Sequence, residues 1–303
     1  MIRGYVPLLL VVAGIWGASY LFIKVAVDEI EPTAMMELRL ILAALVLVPF
    51  VVLRLGRDRA RAELRATGLG AWMLGATNMA IPFTLIAWGE KHVDSGIAAI
   101  ANASVPIFVL ALAVKFRPSE RVSGLRLAGV LLGFAGVGVL TGLHPEGGWW
   151  AIAGTLAVVV ASFSYAVANL YTQHRFPETS PLVITAASSV AAAILLLPFA
   201  LLQLPEQVPS WQALGSVAAL GLAGTAIALI FFYRMLVSYG AARASLVTYL
   251  LPPFALVYGV AFLAEEITLN AALGLFLILA GVAVGSGVFR FARREPAAAT
   301  PQP

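Results

Sequence analysis

The stretch AALVLVPFVVLRL, residues 43–55, returns in altered form as AAILLLPFALLQL at residues 192–204. Pro49 falls on Pro198 and Phe50 on Phe199, a shift of 149 residues, and Pro32 falls on Pro181 under the same shift. The offset narrows to 146 where VPIF (105–108) lies on LPPF (251–254). It narrows to 145 where Glu120, Gly129 and Gly136 lie on Glu265, Gly274 and Gly281. Short loop deletions produce such a drift. Ala and Leu matches arise by chance in an apolar chain, so the Pro, Phe, Glu and Gly matches carry the reading of an old tandem duplication.

Composition says what was duplicated. Of 303 residues, 61% are hydrophobic and 11% charged, where a soluble domain carries about 25% charged residues. A helix needs about 20 apolar residues to cross the hydrocarbon layer. Ten blocks of that size fit: residues 7–27, 35–53, 67–89, 95–115, 124–142, 150–171, 181–202, 212–233, 244–264 and 270–289. They lack the alternation of barrel strands, and lipid requires every backbone polar group to be satisfied internally, so helices are expected. The expected fold is an all-α membrane protein with ten transmembrane helices. Residues 1–142 hold the first five-helix repeat, 150–289 the second, and 290–303 a disordered cytoplasmic tail. Five is odd, so the second repeat enters from the opposite face and the two are inverted.

The charges orient this arrangement. Positively charged loops stay in the cytoplasm. One side collects Arg3, Arg54, Arg57, Arg59, Arg61, Arg65, Lys115, Arg117, Arg121, Arg126, Arg175, Arg234, Arg243, Arg290, Arg293 and Arg294, sixteen of the nineteen basic residues. The other side holds Lys91, with Lys24 and Arg39 inside or at the rim of spans. Both termini are therefore expected in the cytoplasm of a cell whose inner membrane holds the protein. Scattered over loops, the net charge of +4 argues against nucleic acid as a partner. Arg3 and the run after it resemble a signal peptide, but the run is long enough to span and the repeat needs it.

Here the residues carry a family likeness. WGASYLFIK (16–24) in the first span and ARASLVTYLLPPFALVYGVAFLAEEITLNAALGLFLILAGV (242–282) in the second half resemble the EamA-type exporters of the drug/metabolite transporter superfamily. The parallel stretch in the first half is GIAAIANASVPIFVLALAVKFRPSERVSGLRLAGVLLGFAGV (96–137). The family's usual Leu-Gly before the glutamate is Leu-Ala here, at 263–264. The resemblance implies export of small metabolites, often amino acids or related compounds, by alternating access.

Polar groups inside a membrane usually face the protein interior or a watery cavity. Trp16, Tyr20 and Lys24 are spaced by four and share one helix face. Their counterparts under the 149 shift are Tyr165, Asn169 and Gln173. With Asn78 in the third span, Asn102 in the fourth, and Thr248 and Tyr249 in the ninth, they form the expected substrate cavity. Proline frees a carbonyl one turn earlier, which makes Pro106, Pro252 and Pro253 the hinge candidates. Glu37 and Arg39 are expected near the outer start of the second span, in a charge cluster that the second half lacks. Lys24 has two readings: a side chain reaching out to the interface, or one facing the cavity mouth.

The glycines GFAGVG (133–138) lie mid-span, without the strand that a dinucleotide fingerprint needs, and are read as helix-packing positions. There is no cysteine, no HExxH and no GxSxG. The three histidines fall at span ends on both sides, and no pair of buried carboxylates is expected for acid–base work. An enzyme, a metal site and a cofactor are not expected. The reading is a secondary transporter of a small-molecule substrate, uniporter or facilitated exporter, with a proton antiporter acting through Glu37 as the alternative. A non-transporting receptor or scaffold is the remaining class.

Overall fold

The computed structural model describes residues 2–116, 124–141, 148–244 and 246–286. Every regular element among them is helical. Arg117, Glu120, Arg121 and the tail at 290–303, all part of the sequence reading, lie outside the described residues.

The chain opens with α1 (Ile2–Ala26) and α2 (Pro32–Leu55). Pro32 starts α2 at a position whose N–H would have no helical partner. Gly56, at φ +78°, ends it by turning its N–H back to the Val52 carbonyl. Then comes α3 (Arg57–Ala66), a short helix the hydropathy pattern did not announce. Its sequence RDRARAELRA buries Ala60 and packs Leu64 against α2 and α10 while its arginines stay exposed. That is the geometry of a helix lying along the membrane surface.

Next, α4 (Leu69–Gly75), a π-helical turn (Ala76–Ala80) and α5 (Ile81–Glu90) run together as one apolar rod. After it come α6 (Ser95–Asn102) and α7 (Val105–Phe116), parted by a turn at 103–104, and α8 (Gly124–Thr141). The second half begins with α9 (Gly148–Arg175) and α10 (Pro181–Leu201). A second composite rod follows: α11 (Trp211–Ala219), a π-helical stretch (Leu220–Ile227) and α12 (Ala228–Tyr239). The short α13 (Ala241–Ala244), α14 (Val247–Leu263) and α15 (Leu269–Ser286) complete the chain.

Seven of these stretches are long and apolar enough to cross a bilayer, and three shorter apolar helices accompany them, Leu127–Leu140, Val247–Leu263 and Leu269–Val284. Phe276 is 67% exposed and Val257 60%; surfaces of that kind suit lipid, not water. Trp149 and Trp150 stand exposed at the start of α9, where aromatic rings anchor a helix at the headgroups.

Packing follows a paired pattern. α2 lies on α10 and α8 on α15. α1 packs on α14, and α9 on α7; α1 also meets α11 and α12, while α9 meets α5. The α8–α15 seam is the tightest, because glycines let the backbones touch. A Cβ on Gly281 would sit 2.6 Å from the Gly129 oxygen and the Gly133 nitrogen, and one on Gly136 2.8 Å from the Ile278 nitrogen. Gly138, on the same helix, faces open space. Gly281→Ala is therefore expected to lower the melting temperature in detergent by several degrees, an overpacking cost of about 1–3 kcal/mol. Gly138→Ala is expected to leave it unchanged or slightly raised.

Candidate functional site

The two π-helical turns shape the interior. A π turn shifts the backbone hydrogen-bond register, so side chains engage carbonyls that a regular helix would cover. The Thr77 carbonyl accepts from Ser164 Oγ at 2.7 Å, and the Gly224 carbonyl accepts from Trp16 Nε1 at 3.0 Å. Thr225 Oγ1 donates to the Leu220 carbonyl at 3.0 Å. Gly221 lets this segment approach α2, since a Cβ there would lie 2.9 Å from the Arg39 carbonyl.

Between these turns lies a cavity of about 370 Å³, within the range of small-molecule sites. α1 contributes Trp16, Ser19, Tyr20 and Ile23, α2 contributes Arg39, and the first composite rod contributes Asn78, Met79 and Phe83. Asn102 and Pro106 come from either side of the 103–104 turn, and Tyr165 and Asn169 from α9. Gly224, Thr225, Phe232, Thr248 and Tyr249 close the wall from the second half. The structure thus gathers Trp16, Tyr20, Asn78, Asn102, Tyr165, Asn169, Thr248 and Tyr249 around one space, with Pro106 beside them. Pro252 and Pro253 sit within α14 and do not line it.

Hydrogen bonds set the wall. Asn102 Nδ2 donates to the Tyr20 hydroxyl at 2.8 Å, and Ser162 Oγ lies 3.2 Å from Asn102 Oδ1 and 3.0 Å from the Val158 carbonyl. Tyr20 accepts in this chain, which leaves its own proton to donate elsewhere.

Two cations are not where the sequence reading put them. Lys24 does not line the cavity. Its Nζ donates to the carbonyls of Glu90 at 2.7 Å and Val93 at 2.9 Å. The last carbonyls of a helix have no intrahelical donor, and a cation there also meets the negative end of the helix dipole. Arg39, expected in an outer cluster with Glu37, is buried in the cavity wall. Its Nε donates to Thr225 Oγ1 at 2.9 Å, and its guanidinium carbon lies 3.9 Å over the Phe83 ring. Position explains the split: residues two apart on a helix do not share a face.

Two carboxylates are buried away from the cavity. Glu37 and the fully buried Glu90 are both enclosed. Oε2 of Glu37 and both carboxylate oxygens of Glu90 have no hydrogen-bond partner among the described residues. Neither lines the cavity. Glu90 lies within electrostatic reach of Lys24 and Arg39.

A family model described as the EamA-like transporter family matches residues 4–142 and 152–286. The chain belongs to the EamA-like transporter family. It is 28% identical to an uncharacterized transporter of Bacillus subtilis, YoaV, over 93% of this chain and 95% of that one. It is also 28% identical to a probable terminal-alkyne amino-acid exporter of Streptantibioticus cattleyicolor, over 88% of each chain. A solved crystal structure shares the fold over 96% of this chain and 99% of its own, at a TM-score of 0.66 and 19% identity.

In this transporter the two ends of the helix bundle differ. At the end carrying most acidic residues, side chains tie the elements together. Lys91 pairs with Glu31 at 2.7 Å. Glu29 accepts from the Ser210 backbone at 2.6 Å and from its hydroxyl at 2.5 Å, bonds that hold its carboxyl below the usual value. Thr33 bonds Gln203. Glu265, in the loop after α14, accepts from Ser95 N at 2.7 Å, Ser95 Oγ at 2.8 Å and Gly96 N at 3.1 Å. At the basic end, Tyr5 Oη donates to the Arg243 carbonyl at 2.9 Å, and the Tyr5 ring stands 5.2 Å from that of Tyr239. A second cavity of about 430 Å³ opens there, lined by Arg54, Arg59, Glu63, Arg175, Glu178 and Tyr233 among others.

The Leu-Ala before Glu265 acquires a physical meaning. Ala264 is left-handed, φ +56° and ψ +29°, where it ends α14. Side chains are disfavoured there, by roughly 1–2 kcal/mol, and glycine is the usual residue. Ala264→Gly is expected to stabilise the purified protein by about 0.5–1 kcal/mol, read as a small rise in melting temperature. Lys24→Met keeps the aliphatic stem and removes the bonds to two carbonyls. It is expected to lower the melting temperature by several degrees, about 1–3 kcal/mol, and to leave the order of ligand preference unchanged.

Proposed function

We propose that this protein is a secondary transporter of ten spans in two inverted five-helix repeats, exporting amino acids or related small metabolites by alternating access. The observation that carries this reading is the central cavity, whose wall both halves supply at corresponding places. Tyr20 and Asn169 lie on it, as do Trp16 and Tyr165, from α1 and its counterpart α9. The packing supports the same reading: counterparts α2 and α10 face each other, as do α8 and α15, and α1–α14 is answered by α9–α7. So do the π turns, one in each composite rod and overlapping under a shift of 145. Halves related in this way can exchange conformations around a fixed midplane site.

The basic end is cytoplasmic under the positive-inside rule. The cavity takes Thr248 and Tyr249 from the first turn of α14 and Thr185 from the first turns of α10, at that same end. Ties such as Glu265–Ser95 and Glu29–Ser210 close the opposite end. This supports an inward-facing state, closed to the outside and ready to load. The amino-acid class rests on the size and aromatic wall of the cavity, and on the relative named as a probable amino-acid exporter.

Glu37 and Glu90 are buried, and Oε2 of Glu37 and both oxygens of Glu90 have no hydrogen-bond partner among the described residues, which favours a proton antiporter as the second reading. Reconstituted liposomes loaded with an amino-acid mixture test both. Wild-type protein is expected to release at least one amino acid faster than empty liposomes, and Asn102→Leu to slow it about tenfold, since that change also strips Tyr20 of its donor. Release no faster than from empty liposomes would sink the transport reading. Release unaffected by collapsing the proton gradient, at a fixed amino-acid gradient, would remove the antiporter.

A further inference from the structure

We propose that Arg39 is the anchor for a substrate carboxylate, and that the cargo enters as an acid whose apolar part lies against the aromatic wall. This rests on the export reading above and names the group the site recognises.

Arg39 is the one charged residue on the cavity lining among the described residues. It is 7% exposed, and no carboxylate lies within 4.0 Å of it among those residues. A buried cation without an anion is costly, so its placement calls for a counter-charge. Glu90 does not supply a direct one, because neither of its oxygens has a hydrogen-bond partner among the described residues. Lys24, the other cation nearby, is occupied by the carbonyls at the end of α5.

The guanidinium is also held in a fixed plane. Thr225 Oγ1 passes its own proton to the Leu220 carbonyl and so presents a lone pair to Arg39 Nε. Phe83 covers one face at 3.9 Å. The recorded contact of Nη1 is the Met36 sulfur at 3.9 Å, a weak acceptor. The pair of Nη groups therefore forms a pre-oriented fork, the donor pattern that takes a carboxylate through two parallel hydrogen bonds. Fixing the fork in advance lowers the entropy lost on binding. Trp16, Tyr20 and Tyr249 offer apolar surface on the same lining.

Calorimetric titration of the full-length protein in detergent micelles separates the groups. The probes are L-phenylalanine, L-leucine, their amides, 3-phenylpropanoate and 2-phenylethylamine. With wild-type protein, the probes bearing a carboxylate are expected to bind at least about tenfold more tightly than the amides and the amine. Arg39→Gln is expected to erase that preference and Arg39→Lys to keep part of it, because an ammonium retains the charge but not the fork. The acid-to-amide ratio of the wild type needs no variant, so a poorly folded Arg39→Gln leaves the test intact. Amides binding as tightly as acids, or Arg39→Gln binding acids like wild type, would overturn the anchor while amino-acid export stands. Wild-type protein that binds none of the probes would overturn both.

Discussion

Backbone polar groups buried in hydrocarbon must find partners inside the protein, each failure costing several kcal/mol. That constraint makes the fold helical, and the exceptions to it mark the interior. Regular helices hide their carbonyls, so a site inside a membrane has little backbone to work with. The π turns at Ala76–Ala80 and Leu220–Ile227 alter that register, and Ser164, Trp16 and Thr225 meet the carbonyls there. Each repair places a side chain or a backbone segment at the cavity wall. The break between α6 and α7 acts similarly, setting Asn102 and Pro106 on either side of a turn.

The few charges inside the bundle follow the same logic. Lys24 supplies donors to the end of α5. Glu265 accepts the first amides of α6, where Gly259 leaves it room, since a Cβ there would fall on the carboxylate. Both complete the hydrogen bonding of a helix terminus and tie distant elements together at the acidic end. Arg39 differs because its partners are a hydroxyl and a ring face, which fix its plane and do not neutralise its charge.

Much of this was legible in the chain itself. The apolar blocks announced helices, since nothing else satisfies the backbone in lipid. The stripe Trp16–Tyr20 and its counterpart Tyr165–Asn169 announced an inward face, because such residues are poorly placed against acyl chains. The glycines at 133–138 announced close helix packing; Gly133 and Gly136 lie on the seam where α8 meets α15, while Gly138 faces open space. Hydropathy could not show α3, whose amphipathic pattern is too short and too charged to register as a span. Nor could it show the π turns, which depend on how neighbouring helices press on a backbone of small residues.

The sequence by itself determined the apolar helices, their order and the inward face of α1 and α9, because periodicity and the cost of polar groups in lipid act locally along the chain. Only the tertiary structure decided what each buried charge does. Lys24 and Arg39 look alike in sequence, one cation apiece in an apolar span, and their roles depend on which carbonyl, hydroxyl or ring another helix brings within about 3–4 Å. Hydrogen bonds are short and directional, so a partner 66 residues away for Lys24, or 186 away for Arg39, is fixed by packing alone.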